Sequence, residues 1–435
     1  MPANNEPNAR VPQPNPDLPR SLVLLLAAGA GLGVASIYYS QPIMGLLGAA
    51  MHASDRAIGI IPTMTQLGYA LGILFLSPLG DKHNRRIIIL AKAAALSVVL
   101  ALCAIASNLV FMLAVSLLVG LSATLAQDIV PAAAHLAPAS RRGKVVGTVM
   151  TGLLLGILLS RVASGFIAER YGWRSVYFAA AAAVALFSLL AWKRLPYFEP
   201  TTHLSYRDLL GSMRHLWKRH GALRQATLAQ GLLSLGFSAF WTTLALMLYR
   251  TFHLGSSVAG AFGLAGAAGS IAAPLAGHLA DRRGPELIAR LGCGIALLSF
   301  AAMSASFLFS QRAQLVLLAL VAIGFDFGVQ ATLVAHQTIV FGIAHEARSR
   351  ANALLFTGMF IGMAAGSTLG SIMLSQWGWM GVTVLATAAS ASALLIRLLL
   401  GNSAESANAS GPHHSNEAQA ENPSLKDLSA PYPPR

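Results

Sequence analysis

Apolar residues in this chain come in long, nearly unbroken blocks with short polar punctuation between them, from Ser21 to Leu400. About 20 consecutive apolar residues cross a bilayer as a helix. The blocks predict twelve spans, at 21–44, 57–79, 87–105, 108–136, 146–169, 174–193, 224–248, 256–280, 286–307, 313–342, 351–375 and 379–400. The ends differ: residues 1–20 are polar and Pro/Asn-rich, residues 401–435 are rich in Ser, Ala, Asn and Pro, and both read as disordered tails. The first twenty residues lack the charged-then-apolar layout of a cleaved signal. The predicted class is an all-α membrane protein.

The pattern repeats. Thr151-Gly152 and Gly156 recur as Thr357-Gly358 and Gly362, and the same offset relates Gly172-Trp173 to Gly378-Trp379 and Arg142 to Arg348. Along one helix face, Gly152, Gly156, Ser160 and Ser164 match Gly358, Gly362, Gly366 and Gly370. Steps of four keep small residues on one stripe, which lets two helix backbones approach closely in lipid. Ordinary tight packing accounts for the stripe but not for the shared register. The expected domains are a six-helix bundle over 21–194, a linker over 195–223 and a second six-helix bundle over 224–400. Parallel halves related by an axis along the membrane normal are a transporter architecture. In the linker, Leu209, Leu210, Met213, Leu216 and Trp217 share a face opposite Arg207, Arg214, Lys218 and Arg219. That spacing predicts a helix lying on the cytoplasmic leaflet, a plain linker being the other reading.

Composition supports the membrane assignment. Hydrophobic residues make up 55% and charged residues 11% of the 435, against roughly 25% charged in soluble domains. The net charge of +14 would suit a nucleic-acid partner, but the placement of the charges explains it otherwise. Most Lys and Arg lie in loops after the even-numbered spans, such as Lys82-Arg86 and Arg141-Lys144, and this places both termini in the cytoplasm. Cys103 and Cys293 lie in apolar blocks and make no disulfide framework or zinc site.

Few ionisable residues lie deep in spans, and each costs about 2.5–3.5 kcal/mol at a helix centre on insertion scales. Arg161, Asp326 and Asp128 are the deepest. Counted from Arg142 and Arg348 at 1.5 Å per residue, Arg161 and Asp326 differ in depth by about 5 Å, and Asp128 lies about 12 Å nearer the cytoplasm than Asp326. Arg161 and Asp326 are expected to face a central cavity from opposite halves and to pair there. Protonating Asp326 or binding an anion to Arg161 would break such a pair and couple ligand to conformation. A permanent structural pair, or Arg161 reaching the outer interface, are the alternatives. Asp128 has no evident partner; His336 lies at similar depth in the other half. Gln127, Gln330 and Gln337, with Tyr38, Tyr39 and Gln41 near the outer end, supply neutral donors and acceptors suited to a polar or amphipathic small molecule.

No Gly-x-x-x-x-Gly-Lys-Ser/Thr, His-Glu-x-x-His or Gly-x-Ser-x-Gly occurs, which argues against an ATP-driven pump and against two common hydrolase chemistries. The third class, a channel or receptor, fits poorly with the duplicated loops described next.

The loop after span 2 reads Ser77-Pro78-Leu79-Gly80-Asp81-Lys82-His83-Asn84-Arg85-Arg86, and that after span 8 reads Gly277-His278-Leu279-Ala280-Asp281-Arg282-Arg283-Gly284. Both resemble the signature loop of the major facilitator superfamily, Gly-x-Leu-Ala-Asp-Arg-x-Gly-Arg-Arg. The first copy has Ser77 and Asn84 where glycines are usual, and Asn tolerates a left-handed turn. The resemblance covers roughly residues 20–400. It implies a multi-pass monomer of the bacterial inner membrane working by alternating access on a small-molecule substrate, with lipid around it and no cofactor or metal. Asp128 and Asp326, titratable inside the membrane, point to proton-coupled efflux, an uptake permease for a small organic anion being the alternative. It also implies that Asp81, Lys82, Arg85 and Arg86, with Gly277, Asp281, Arg282 and Gly284, form a cytoplasmic gate; topology plus turn formation is the alternative role for these loops. Tyr38-Tyr39-Ser40-Gln41-Pro42, Gln127-Asp128-Ile129-Val130-Pro131, Arg161 within Gly152–Gly165, and Asp326–Gln330 resemble efflux-type permeases near sugar and drug exporters. Ser116 stands where drug exporters usually carry Arg, and Ser160-Arg161 where they carry Gly-Pro, so the usual proton–drug exchange residues are not implied.

Overall fold

A computed structural model of the chain describes residues 18–200, 202, 204–343 and 347–409. The predicted N-terminal tail falls almost wholly outside the described residues, as does the predicted C-terminal tail beyond Ala409. Among the described residues the secondary structure is helical throughout. Ten helices are long and apolar enough to cross a membrane: α2 (Asp55–Lys82), α3 (Arg85–Ala104), α4 (Leu109–Leu136), α5 (Ala139–Tyr171), α6 (Trp173–Arg194), α7 (Gly221–Phe252), α8 (Ser256–Arg283), α9 (Pro285–Met303), α10 (Gln311–Ile343) and α11 (Arg348–Leu400). They are preceded by a shorter apolar helix, α1 (Arg20–Ala35).

Helix ends follow local chemistry. Ser54, Asn84 and Asn108 cap α2, α3 and α4 by accepting a hydrogen bond from a first-turn N–H, which satisfies a donor with no intrahelical partner. Gly172 and Gly378 hold φ of 85° and 62° ahead of Trp173 and Trp379. A side chain at such φ would be strained, and the turn at Gly378 breaks the long α11 into two helical segments. The last helix runs on to Ala409, past the predicted end at Leu400.

Two expectations are corrected. The first predicted span, 21–44, is not one helix: it ends at Ala35, turns through Ser36–Ser40, and resumes as a 3₁₀ turn at Gln41–Ile43 and a short helix at Met44–Ala50. Pro42 has no N–H to continue the ladder and restricts the residue before it. Second, Asn84 is not left-handed; its φ is −55° and it serves as a side-chain cap, whereas Gly284 in the second copy holds φ of 85°. The linker helix (Tyr206–Arg219) packs part of its apolar face against the rest of the chain. Leu209, Met213 and Leu216 are buried, Leu216 in a cluster with Leu223, Val340, Ala351 and Leu355. The Tyr206 hydroxyl donates to the Phe75 carbonyl at 2.8 Å, and Arg350 donates to Ser212 Oγ at 2.7 Å.

Packing between helices rests on the small-residue stripes. A Cβ on Gly156 would lie 2.3 Å from the Gly31 carbonyl oxygen, and one on Gly152 would lie 2.4 Å from that of Ala27, so α5 meets α1 main chain to main chain. The same contact recurs between α11 and α7: Gly362 against Gly231 at 2.0 Å, Gly366 against Leu235 at 2.1 Å and Gly370 against Ala239, while Gly358 makes room for the Thr227 methyl. Other close pairs are α2 with α4, α3 with α6, and α10 with α8 and α9. Contact between helices before and after the linker runs mainly through α2 with α11 and α5 with α8.

Gly362→Leu should therefore be destabilising, since overpacking costs typically about 1–3 kcal/mol and here the obstacle is backbone. Melting of the purified protein in detergent should show a clear drop for this variant. Gly147→Ala, where a Cβ meets nothing within 4 Å, should leave the melting temperature unchanged or slightly raised.

Candidate functional site

The break in α1 delivers Tyr38 and Gln41 to Arg161 on α5. Arg161 is only 2% exposed. Its Nε donates to Gln41 Oε1 at 2.9 Å, and its guanidinium carbon lies 4.4 Å from the ring centre of Trp241, 4.6 Å from that of Tyr38 and 5.7 Å from that of Phe237. A desolvated cation over a ring face gains about 2 kcal/mol, so three rings and one hydrogen bond offset an insertion cost of about 2.5–3.5 kcal/mol. Gly260 and Gly263 of α8 leave room for the α5 backbone and the Arg161 side chain. Trp241 is held in turn by Phe240, at 5.3 Å between centroids, and Phe325, at 6.2 Å.

Asp326 approaches the same site from α10. Its Oδ1 accepts from Trp241 Nε1 at 3.4 Å, and Gly266 of α8 leaves space for its other oxygen. Arg161 and Asp326 thus meet at one site, drawn from α1, α5, α7, α8 and α10. They form no ion pair among the described residues. The expected direct pair is replaced by an indole that stacks on the cation and donates to the acid. Tyr39 is buried beside this site's helix break.

A second polar group joins α2, α7 and α11. Gln66 Nε2 donates to Ser238 Oγ at 3.0 Å, Ser367 Oγ donates to Gln66 Oε1 at 2.8 Å, and Ser367 also contacts Ser238 and Thr242. Thr63 and Thr368 hydroxyls meet at 2.9 Å. Gln127 donates to the Tyr69 hydroxyl at 3.1 Å, and the Tyr69 ring stacks near Phe360 at 4.4 Å. His336 Nδ1 lies 3.0 Å from Gln230 Oε1 and Gln337 donates to Asn352 at 3.3 Å. Gln330 is half-buried on α10 opposite Gly269 of α8. These groups are spread along several helices and do not converge with Arg161.

At the end of the molecule carrying the duplicated loops, Arg85 Nη2 bonds Asp81 Oδ1 at 2.7 Å. Asp128 has a partner after all: Lys92 Nζ lies 2.6 Å from its Oδ2, and both are buried. Gly80 leaves space for Asp128 Oδ1. Arg350, from the start of α11, acts electrostatically on Asp81. Arg86 donates to the Trp192 carbonyl at 2.6 Å, and Lys82 is half-buried. The second copy differs: Asp281 and Arg282 are exposed, and the ion cluster there is Glu286 with Arg290, at 3.2 Å, and Arg397. Asp281 makes no ion pair among the described residues. Gly277 meets only Val334 of α10, at 3.9 Å, and a Cβ on Gly143 or Gly147 of α5 would meet nothing within 4 Å. At the opposite end the helices touch across the molecule: Arg250 bonds Asp55 at 2.5 Å, Ser257 N donates to Glu169 at 2.6 Å, and Gly165 packs on Ser256 and Gly260.

The chain matches the Major Facilitator Superfamily over residues 23–340. It is 38% identical to the uncharacterized transporter YgaY of Escherichia coli O157:H7, over 89% of this chain and 96% of that protein. It is 28% identical to the multidrug resistance protein MdtG of Citrobacter koseri, over 53% of this chain and 58% of that one. Its fold is similar to the solved nucleoside transporter NupG, with a TM-score of 0.71 at 12% identity, over 87% of this chain and 99% of that one.

Breaking the buried Lys92–Asp128 pair should cost about 3–5 kcal/mol, because one charge is left unpaired. Lys92→Met alone should melt well below the parent in detergent, and Lys92→Met with Asp128→Asn should recover most of the loss. An additive double variant would show that the two residues are not coupled.

Proposed function

The chain belongs to the major facilitator superfamily, and from that premise we propose that it exports a small polar or amphipathic molecule by alternating access, driven by protons. It is a multi-pass membrane transporter and not an enzyme. The observation that carries the finer reading is the cluster of Arg161, Trp241, Tyr38 and Asp326, which draws a cation, an acid and stacked rings from four separate segments into the middle of an apolar bundle. A purely structural bundle of this composition has no use for two charges at that depth, each of them costly.

In this reading α1 with its broken continuation is one span and α11 is two, divided at Gly378. With α2–α10 that gives twelve, in two six-helix bundles joined by the linker helix, with both termini in the cytoplasm. The backbone seams of α1 with α5 and of α7 with α11 make each bundle rigid. The hydroxyls and amide of α2, α7 and α11 form the surface on which the bundles rock, since such groups exchange partners at little cost. Asp81 with Arg85, and Asp128 with Lys92, brace the cytoplasmic gate. Asp326 is the proton carrier: neutralising it removes the charge that Trp241 and Arg161 face and shifts the balance between the two conformations. Export rather than uptake is supported by MdtG, which is named for multidrug resistance.

The reading is tested in inside-out vesicles prepared from cells expressing the chain. A panel of amphipathic dyes, carboxylated ones included, should show saturable accumulation of at least one member when respiration acidifies the lumen, and nigericin should abolish the accumulation. Asp326→Asn should remove dependence on the pH gradient while leaving dye exchange. Non-saturable flux in proportion to voltage would indicate a channel instead.

Topology has its own test. Cys103 and Cys293 are both buried, so background labelling should be low. An impermeant maleimide added to intact cells should label Ser306→Cys, and should label Ser205→Cys only after permeabilisation.

A further inference from the structure

One detail of the Arg161 site remains chemically incomplete. Arginine carries donors only, so its Nε bond to Gln41 must end on the amide oxygen. That contact fixes the amide and turns the Gln41 NH₂ away from the guanidinium. Gln41 Nε2 and Arg161 Nη2 are both buried, and neither has a hydrogen-bond partner among the described protein atoms. The two residues are 1% and 2% exposed. Both line one narrow cleft, too tight in this conformation to admit a water molecule, whose remaining walls are Pro42, Trp241, Leu244, Ala245 and Ala259.

The side chains of this cleft offer a cationic donor and a neutral donor, and no free acceptor. Gln41 Oε1 is already used, the Trp241 N–H points to Asp326, and the other walls are carbon. Buried polar groups in native structures are nearly always satisfied. Asp326, the nearest acid, is not within ion-pair distance and gives its Oδ1 to the indole. A buried arginine serving only packing would have its fork filled by a carboxylate or by carbonyls. Here one arm of the fork and one amide N–H are left for a group from outside the chain; a carboxylate offers one acceptor oxygen to each, with a charge opposite to that of Arg161.

We propose that this cleft, closed in this conformation, becomes an acid-binding subsite when α5 and α7 part during alternating access: Arg161 Nη2 and Gln41 Nε2 then hold the carboxylate of the transported molecule, with its apolar part against Leu244, Ala245 and Ala259. The proposal rests on the transporter reading above and narrows its substrate to small organic carboxylates with an apolar body. Charge-assisted hydrogen bonds from a planar guanidinium match a carboxylate in geometry as well as sign. The break in α1 then has a purpose, since an unbroken helix would not turn Gln41 toward Arg161 in this way.

The test uses the full chain in detergent with matched probes: benzoate against benzamide, and hexanoate against hexanamide. The acids should raise the melting temperature in a saturable way and the amides should not. Gln41→Leu should weaken benzoate binding about tenfold, the loss of roughly one such hydrogen bond, and Arg161→Gln should abolish the response at the same concentrations. Should Arg161→Gln fail to fold, Gln41→Leu and Arg161→Lys decide: the first must weaken and the second must retain an acid preference. Equal stabilisation by acids and amides, no response of the parent to either acid, or an unchanged benzoate affinity in Gln41→Leu would each overturn the subsite. Dye accumulation by the same protein in vesicles separates the two levels. Gradient-driven flux without an acid response removes the subsite and leaves the transporter; acid binding without gradient-driven flux of dyes or benzoate removes the transport reading and leaves the subsite.

Discussion

The rest of the structure is organised around the burial of one guanidinium. Hydrocarbon offers Arg161 no solvation, and a helix that carried it alone would be driven to an interface. The chain answers by breaking α1 so that an amide oxygen reaches Nε, and by setting Tyr38, Trp241 and Phe237 around the cation. Each answer imposes a further demand. The indole must be held in place, which Phe240 and Phe325 do, and its N–H needs an acceptor, which is Asp326. The side chain needs room against α8, which Gly260 and Gly263 supply. A single costly residue thus specifies neighbours on both sides of the linker.

Much of the fold was legible because lipid is a severe solvent. Runs of apolar residues have only one viable backbone there, so the spans and their approximate limits can be read directly. The stripes at Gly152–Gly156 and Gly358–Gly370 were readable for a related reason: among apolar surfaces, close approach needs small residues at steps of four. Depth counting brought Arg161 and Asp326 to one level. It did not show that an indole would stand between them, since Trp241 and Phe237 look like any apolar filler in the sequence. The end of the first span was missed although Gln41-Pro42 interrupts the block. Lys92 was missed as well, lying close enough to basic Arg85 and Arg86 to pass for an interfacial charge. The signal was its place on the stripe Ile89, Lys92, Ala93, Leu96, which is buried throughout. The linker helix shows the opposite limit: its amphipathic face is plain, but protein and lipid cover an apolar face equally well, and the sequence does not say which.

The duplicated loops show how two copies of one sequence pattern come to carry different contacts. In the first, Asp81 and Arg85 lie beside the buried Lys92–Asp128 pair, and Asn84 closes the turn with its side chain. The second keeps the glycine turn at Gly284 but exposes Asp281, and its charges gather on Glu286 and Arg290 of the next helix together with Arg397 of α11. Similar letters at equivalent places therefore do not carry equivalent contacts. Sequence likeness preserved neither the turn geometry, which differs between Asn84 and Gly284, nor the ion pairs.

The order of residues along the chain also bears on how the protein is made. Tyr38 and Gln41 precede Arg161, so a nascent α5 finds a stacking partner and an acceptor already in place. Trp241 and Asp326 come later. At roughly 5–20 residues per second, Trp241 leaves the ribosome about 4–16 s after Arg161. During that interval the cation rests on the first-born helices alone, and the broken α1 acts as its chaperone within the same polypeptide.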